Sequence, residues 1–141
     1  MDNVQNSEPT LTIDLEGDLP VVQQIVNGLR HCLLRGELQP GERLPSSRAL
    51  ARDLGVHFNT VAQAYRELEA EGWLTLRRRA GTVVLARETP KPNADQARQL
   101  QSEFVQAVRN LLVKFEARGL TRAELIRLAA EATDNRTDKG N

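Results

Sequence analysis

A chain of 141 residues has room for one compact domain, or for a small domain with an appendage. Its 40% hydrophobic and 27% charged residues are ordinary for a globular chain, and no apolar run approaches the ~20 residues that span a bilayer. Aromatics at 4% are too scarce for a base-stacking platform, and the acidic, polar start MDNVQNSEPT lacks a signal peptide's basic and apolar regions. Cytoplasm is therefore the expected compartment, with no membrane partner.

The formal net charge of zero argues weakly against a nucleic-acid partner, but the charges are unevenly spread. Residues 1–17 carry Asp2, Glu8, Asp14 and Glu16 without a base, whereas Trp73 to Arg87 carries Arg77, Arg78, Arg79 and Arg87 without an acid. Contact with phosphate depends on the local field, so a neutral total is compatible with a basic face. Cys32 is the only cysteine, which rules out an internal disulfide. Its neighbour His31 points about 100° away on a helix, so the two make a poor metal pair, and no metal or other cofactor is expected.

In chain order, Leu11, Ile13 and Leu15 alternate with Thr12, Asp14 and Glu16, the period of a short half-buried strand in an N-terminal arm over 1–17. Asp18 stands where an N-cap belongs, with Pro20 in the first turn. Val22, Ile25, Val26, Leu29, Leu33 and Leu34 then recur at helical spacing until Gly36, and QPGERLP reads as a turn-rich connector. Ser46 or Ser47 caps a second helix with Leu50, Ala51 and Leu54 inward, and Gly55 makes a turn. A third helix is expected from about His57 to Ala70, with Val61, Ala64, Tyr65 and Leu68 buried and Gly72 as its stop. WLTL and TVVLA flank RRRAG as a hairpin whose inner face would be Leu74, Leu76, Val83 and Leu85.

The order helix, turn, helix, hairpin over 18–87 is that of a winged helix-turn-helix, which makes the chain α+β and mostly helical. The stretch 88–93, with two prolines, is a linker. Beyond it, 94–133 reads as a helical pair. Leu100, Phe104, Val108, Leu111 and Phe115 form one amphipathic stripe, and a Thr121/Glu124 capping box opens a second helix carrying Leu125 and Leu128. Residues 134–141 form a polar tail expected to fray. Two helices cannot bury a core alone, so their stripe needs the winged domain or a second copy. A homodimer through these helices suits two half-sites on DNA.

In this arrangement the start of the third helix reaches base edges of double-stranded DNA, which brings forward His57, Phe58, Asn59, Thr60 and Gln63. Asn59 and Gln63 lie four apart on one face, and either amide can read adenine with two hydrogen bonds. Ser46, Ser47 and Arg48 begin the preceding helix, where free N–H groups and a guanidinium suit a phosphate. Arg77, Arg78 and Arg79 stand at the hairpin tip, poised for phosphates or a narrow minor groove.

The run LPVVQQIVNGLRHCLLRGELQPGERLPSSRALARDLGVHFNTVAQAYRELEAEGWLTLRRRAGTVV resembles the DNA-binding domain of GntR-family bacterial transcription regulators. The QI of the first helix, GELQPGERLPSSRALA, DLGV, NTVAQAYRELEAEG and GTVV carry the likeness over about half the chain. The tail FVQAVRNLLVKFEARGLTRAELIRL is similar to the YtrA subfamily, which lacks large effector domains. The resemblance implies a homodimeric repressor on an inverted-repeat operator, often of its own operon and commonly beside ABC transporter genes. It also implies DNA contacts at Arg48, Asn59, Thr60, Arg77, Gly81 and Thr82. His57 and Phe58 stand where Ser and Arg are common, and Arg79 where the wing often has glycine, so the operator preference is expected to be this chain's own.

No nucleophile–base pair, paired carboxylates or phosphate-cradling glycine loop supports an enzyme. The competing expectation is a winged helix that serves as a protein-interaction module without reading DNA sequence. A small-molecule effector of unknown identity would have to sit at the dimer interface or domain junction, because two helices enclose little space.

Overall fold

The structure, a computed structural model, describes residues 9–77 and 81–134. They form α1 (Val21–Leu34), β1 (Arg43–Leu44), α2 (Ser47–Leu54), α3 (Phe58–Ala70), β2 (Leu74–Arg77), β3 (Gly81–Val84), α4 (Ala94–Glu116) and α5 (Arg122–Thr133). The chain divides into two compact units, residues 1–89 and 90–141.

The first unit is built on the apolar stripes of three helices. Ile25, Val26 and Leu29 of α1, Leu50 and Ala51 of α2, and Val61, Ala64, Tyr65 and Leu68 of α3 are buried in one cluster with Leu44, Leu74 and Val84 of the sheet. The spacing of three and four puts each set on one side of its helix, so burying them defines which way α3 turns its polar face. Leu34, the last of the α1 series, is 66% exposed because it lies about 100° around the helix from Leu33, which takes the core-facing position. The small helix α2 is tightly punctuated. Ser46 Oγ accepts the Ala49 N–H at 3.1 Å, and Gly55 takes the left-handed conformation (φ 71°), so that the Val56 N–H donates to the Ala51 carbonyl at 2.9 Å.

Four sequence expectations are corrected. The arm forms no strand among the described residues. Leu11 and Ile13 do pack on the core, but the side-chain amide of Gln24, rather than a neighbouring strand, satisfies the Asp14 backbone: its Oε1 accepts from Asp14 N–H at 2.7 Å and its Nε2 donates to the Asp14 carbonyl at 2.9 Å. Gly28 gives the Leu11 side chain its place against α1, since a Cβ there would lie 2.6 Å from Leu11 Cδ2. The N-cap of α1 is Pro20, not Asp18, and no side chain caps it. QPGERLP is more than a connector: Arg43–Leu44 forms β1, which pairs antiparallel with β3 in a sheet ordered β1-β3-β2. The hairpin register pairs Leu74 with Val84 and Leu76 with Thr82, so Thr82 and Val84 point inward, and Val83 and Leu85 do not. The period of two makes such a one-residue slip exchange the faces completely.

Two side chains bind these elements together. Tyr65, fully buried on α3, donates its hydroxyl to the Pro45 carbonyl at 2.7 Å, just before α2; burial pushes its phenol well above the ordinary range. Arg30 of α1 holds Glu71 at the end of α3 through two nitrogens, Nε to Oε2 at 3.0 Å and a second, shorter contact to Oε1. Burial likewise pushes the Cys32 thiol up to about 11, with Glu37 adding to the effect, so Cys32 acts as a core residue.

In the second unit Asn93 with Gln96, and Thr121 with Glu124, form reciprocal capping boxes that open α4 and α5. Gly119 (φ 108°) turns the chain between them. Leu125 is buried, yet none of the 23 residues of α4 is, and Leu100, Phe104 and Leu111 are all more than half exposed.

Tyr65→Phe leaves the Pro45 carbonyl without its donor and is expected to cost about 1–3 kcal/mol, read as a lower urea midpoint with an unchanged m-value. Glu71 is held below the usual carboxylate range mainly by the Arg30 hydrogen bond. The contribution of Glu71 is therefore present above its unfolded pKa of about 4.3 and lost as pH falls through the lower folded value. The stability difference between wild type and Glu71→Gln should shrink as urea melts are repeated at decreasing pH through that window.

Candidate nucleic-acid interface

The core stripe of α3 leaves the opposite side of its first two turns in solvent. Asn59 and Gln63 are exposed one above the other, and Arg66, seven residues after Asn59, extends the same polar face. Arg66 was absent from the sequence reading; the i, i+4, i+7 spacing was the available signal. Thr60 is half-buried beside them. His57 is the N-cap: its Nδ1 accepts the Asn59 N–H at 3.1 Å, which leaves Nε2 to carry the ring proton.

Phe58 is half-buried against the core rather than presented to solvent. Its ring stacks on His57, with centroids 4.6 Å apart, and the Arg48 guanidinium lies 4.2 Å from its centroid. The residue that departs from the family pattern thus joins the start of α2 to the start of α3. A planar guanidinium on a ring face gains cation–π energy while its edge N–H groups stay available.

At the start of α2, Ser46 is engaged in capping, Ser47 is the first helical residue, and Arg48 is exposed. In the wing Arg77 ends β2, exposed and opposite Gly81, whose φ of 76° suits glycine. Thr82 is 6% exposed, turned into the sheet's inner face. Arg78 and Arg79 lie outside the described residues. Arg87 belongs to the scaffold instead: its Nε donates to the Glu71 carbonyl at 2.9 Å and its guanidinium lies 4.2 Å over Trp73. No group of three or more metal-ligating side chains occurs among the described residues, and no described helix is long and apolar enough to cross a membrane.

A short helix, a left-handed glycine turn, a helix with an exposed amide face and a three-stranded wing define a winged helix-turn-helix DNA-binding protein. Comparison with known proteins carries this to a family. Residues 21–84 match the model of the bacterial regulatory proteins of the gntR family. The chain is 35% identical over 125 residues to the HTH-type transcriptional regulator Rv1152 of Mycobacterium tuberculosis, covering 89% of this chain and 95% of that protein. It is 38% identical over 74 residues to the HTH-type transcriptional repressor YtrA of Bacillus subtilis, covering 52% of this chain and 57% of that protein's length. Among solved structures, YtrA from Sulfolobus acidocaldarius, a GntR-family transcription factor, superposes with a TM-score of 0.57 at 32% identity, over 70% of this chain and 97% of that one. The chain belongs to the GntR family of transcription regulators, which are not enzymes, and its winged helix is YtrA-like.

Replacing Asn59 or Gln63 by Ala removes an amide from the exposed face without touching the core. Each change is expected to cost about 1–3 kcal/mol on a duplex selected by the wild-type protein and to relax preference at one or two base pairs. Binding to a scrambled duplex should be unaffected, as competition titrations would show.

Proposed function

We propose that the chain is a homodimeric repressor that places the two α3 helices of its dimer in successive major grooves of an inverted-repeat operator. Asn59 and Gln63 read base edges, with Thr60 and His57 beside them. Arg48, Ser46 and Ser47 position the protein on the backbone, as do the wing residues Arg77, Arg78, Arg79 and Gly81. Thr82, turned inward, acts by shaping the wing. The Bacillus subtilis relative YtrA is a transcriptional repressor, which supports repression here; the family resemblance points to the operator of an operon holding transporter genes as the target.

The observation that carries the dimer is the apolar surface of the second unit. Leu100 is 53% exposed, Phe104 69%, Leu111 55% and Leu128 38%. Val108, Leu111, Leu112, Phe115, Leu125 and Leu128 also line a hollow of about 340 Å³ on the helical pair. So many large apolar side chains on two helices call for a covering partner. A second copy supplies the same stripe by two-fold symmetry, and the same operation supplies a second α3 for the other half-site.

Sedimentation of the full chain tests the assembly, and genomic fragment selection with footprinting tests the target. The wild-type chain should sediment as a dimer and protect two half-sites about one helical turn apart. Phe104→Asp should sediment as a monomer with an intact thermal transition, and its operator affinity should fall by at least about tenfold because two half-sites no longer bind as one unit. A wild-type monomer, or protection of a single half-site, would sink the proposal.

A further inference from the structure

Beside the reading head, the structure holds a basic groove of which the reading above uses Arg77 but not Arg43. Arg43 stands in β1, a strand of two residues, opposite Val83 of β3. Side chains on a sheet alternate, so Arg43, Val83 and the position of Gly81 share one face, and Arg77, paired with Gly81 on the other side of β3, shares it too. The Arg43 chain lies across that glycine: its Cδ, Cγ and Nε are 3.7, 3.9 and 4.0 Å from where a Gly81 Cβ would stand. Two arginines from the two outer strands thus converge over the one residue of the central strand that has no side chain.

Among the described residues, neither guanidinium is matched by an acid. Arg43 Nε is buried and has no hydrogen-bond partner, and no ion pair holds Arg43 or Arg77 among the described residues. Both line a groove of about 440 Å³ together with Leu44, Ser46, Ser47, Leu76, Gly81 and Thr82, and no acidic residue lines it among the described residues. A groove lined by two arginines, one with a buried donor left unsatisfied, bears a cost that an anion there would remove. The groove also lies between the start of α2 and the wing, the two elements that flank α3 in the chain and that carry the backbone-positioning residues.

We infer that this groove seats one backbone phosphate of the bound duplex, with Arg43 and Arg77 as its two cationic walls and Ser47 as a hydroxyl donor. The inference rests on the DNA-binding reading and adds to it a residue, Arg43, that positions the protein without reading sequence. Gly81 is part of the site because its φ of 76° favours glycine and its bare backbone lies against the Arg43 chain.

The test uses the full-length chain, a duplex it selects from a random pool, and a scrambled duplex of equal length, each titrated across a salt series. Arg43→Gln should weaken binding to both duplexes by about the same factor, roughly tenfold, and reduce the salt slope by about 1, since phosphate contacts are blind to sequence. Arg43→Lys keeps the charge but loses the fork, and should fall between. Because Arg43→Gln could unsettle β1, the wild type and Arg43→Lys are also compared on duplexes with single methylphosphonate linkages. One linkage should weaken wild-type binding and weaken Arg43→Lys binding by a smaller factor.

If the wild type binds and Arg43→Gln shows an unchanged Kd and salt slope, the phosphate assignment is wrong and the regulator reading stands. If the wild type binds neither duplex, both fall. A titration with inorganic phosphate separates a free-anion site: a shifted Arg43 Nε resonance, together with unaltered duplex binding by Arg43→Gln, would also overturn the assignment.

Discussion

The hydrogen bond from Tyr65 to the Pro45 carbonyl is the constraint on which the reading head depends. Pro45 directly precedes the capped start of α2, and Tyr65 lies midway along α3, so one buried contact links two helices that the chain itself joins only through a short turn. A phenol sealed in the core must find an acceptor or lose the full desolvation penalty, which makes the choice of partner sharp. Gly55 then sets the turn, and Phe58 closes the outer edge beneath Arg48. With these points set, Asn59 and Gln63 have one direction in which to face.

The helical part of this arrangement was legible because its signals are local. Val61, Ala64, Tyr65 and Leu68 repeat at helical spacing, Ser46 caps within its own turn, and Thr121 with Glu124 forms a box within four residues. Apart from the Pro20 cap of α1 and Arg66 of α3, the parts that sequence reasoning lost depend on partners farther along the chain. β1 exists only because Arg43 and Leu44 meet Val83 and Thr82, some forty positions later. Hydrophobicity points Val83 and Leu85 inward, yet the register with Leu74 and Leu76 turns Thr82 and Val84 there instead. The arm alternates like a strand, but Gln24 met its polar backbone first.

The candidate site shows the same division. Asn59, Gln63 and Arg77 stand in solvent as their positions in the motif require, and Ser46 caps where a capping residue was expected. Arg43 and Arg87 show why charge runs and isolated arginines mislead. Arg87 belongs to the basic stretch by sequence, yet it is held by the Glu71 carbonyl and Trp73. Arg43 gave no signal in the sequence, since only its placement across Gly81 distinguishes it from any solvated surface residue.

The stacked Arg48 also bears on how long a complex would last. A free arginine carries about 2 kcal/mol of rotamer entropy, which it must surrender when it grips a phosphate. Here Phe58 has already restricted that side chain, so part of the loss is taken when the domain folds instead of when it meets DNA. Such preorganisation acts little on the rate of encounter, which depends on the field of the basic face rather than on one side chain's rotamer. It acts on escape, because a guanidinium that stays in place when a contact breaks re-forms that contact before the protein can leave. In the proposed complex, the Phe58 platform would therefore favour long residence on DNA over rapid capture.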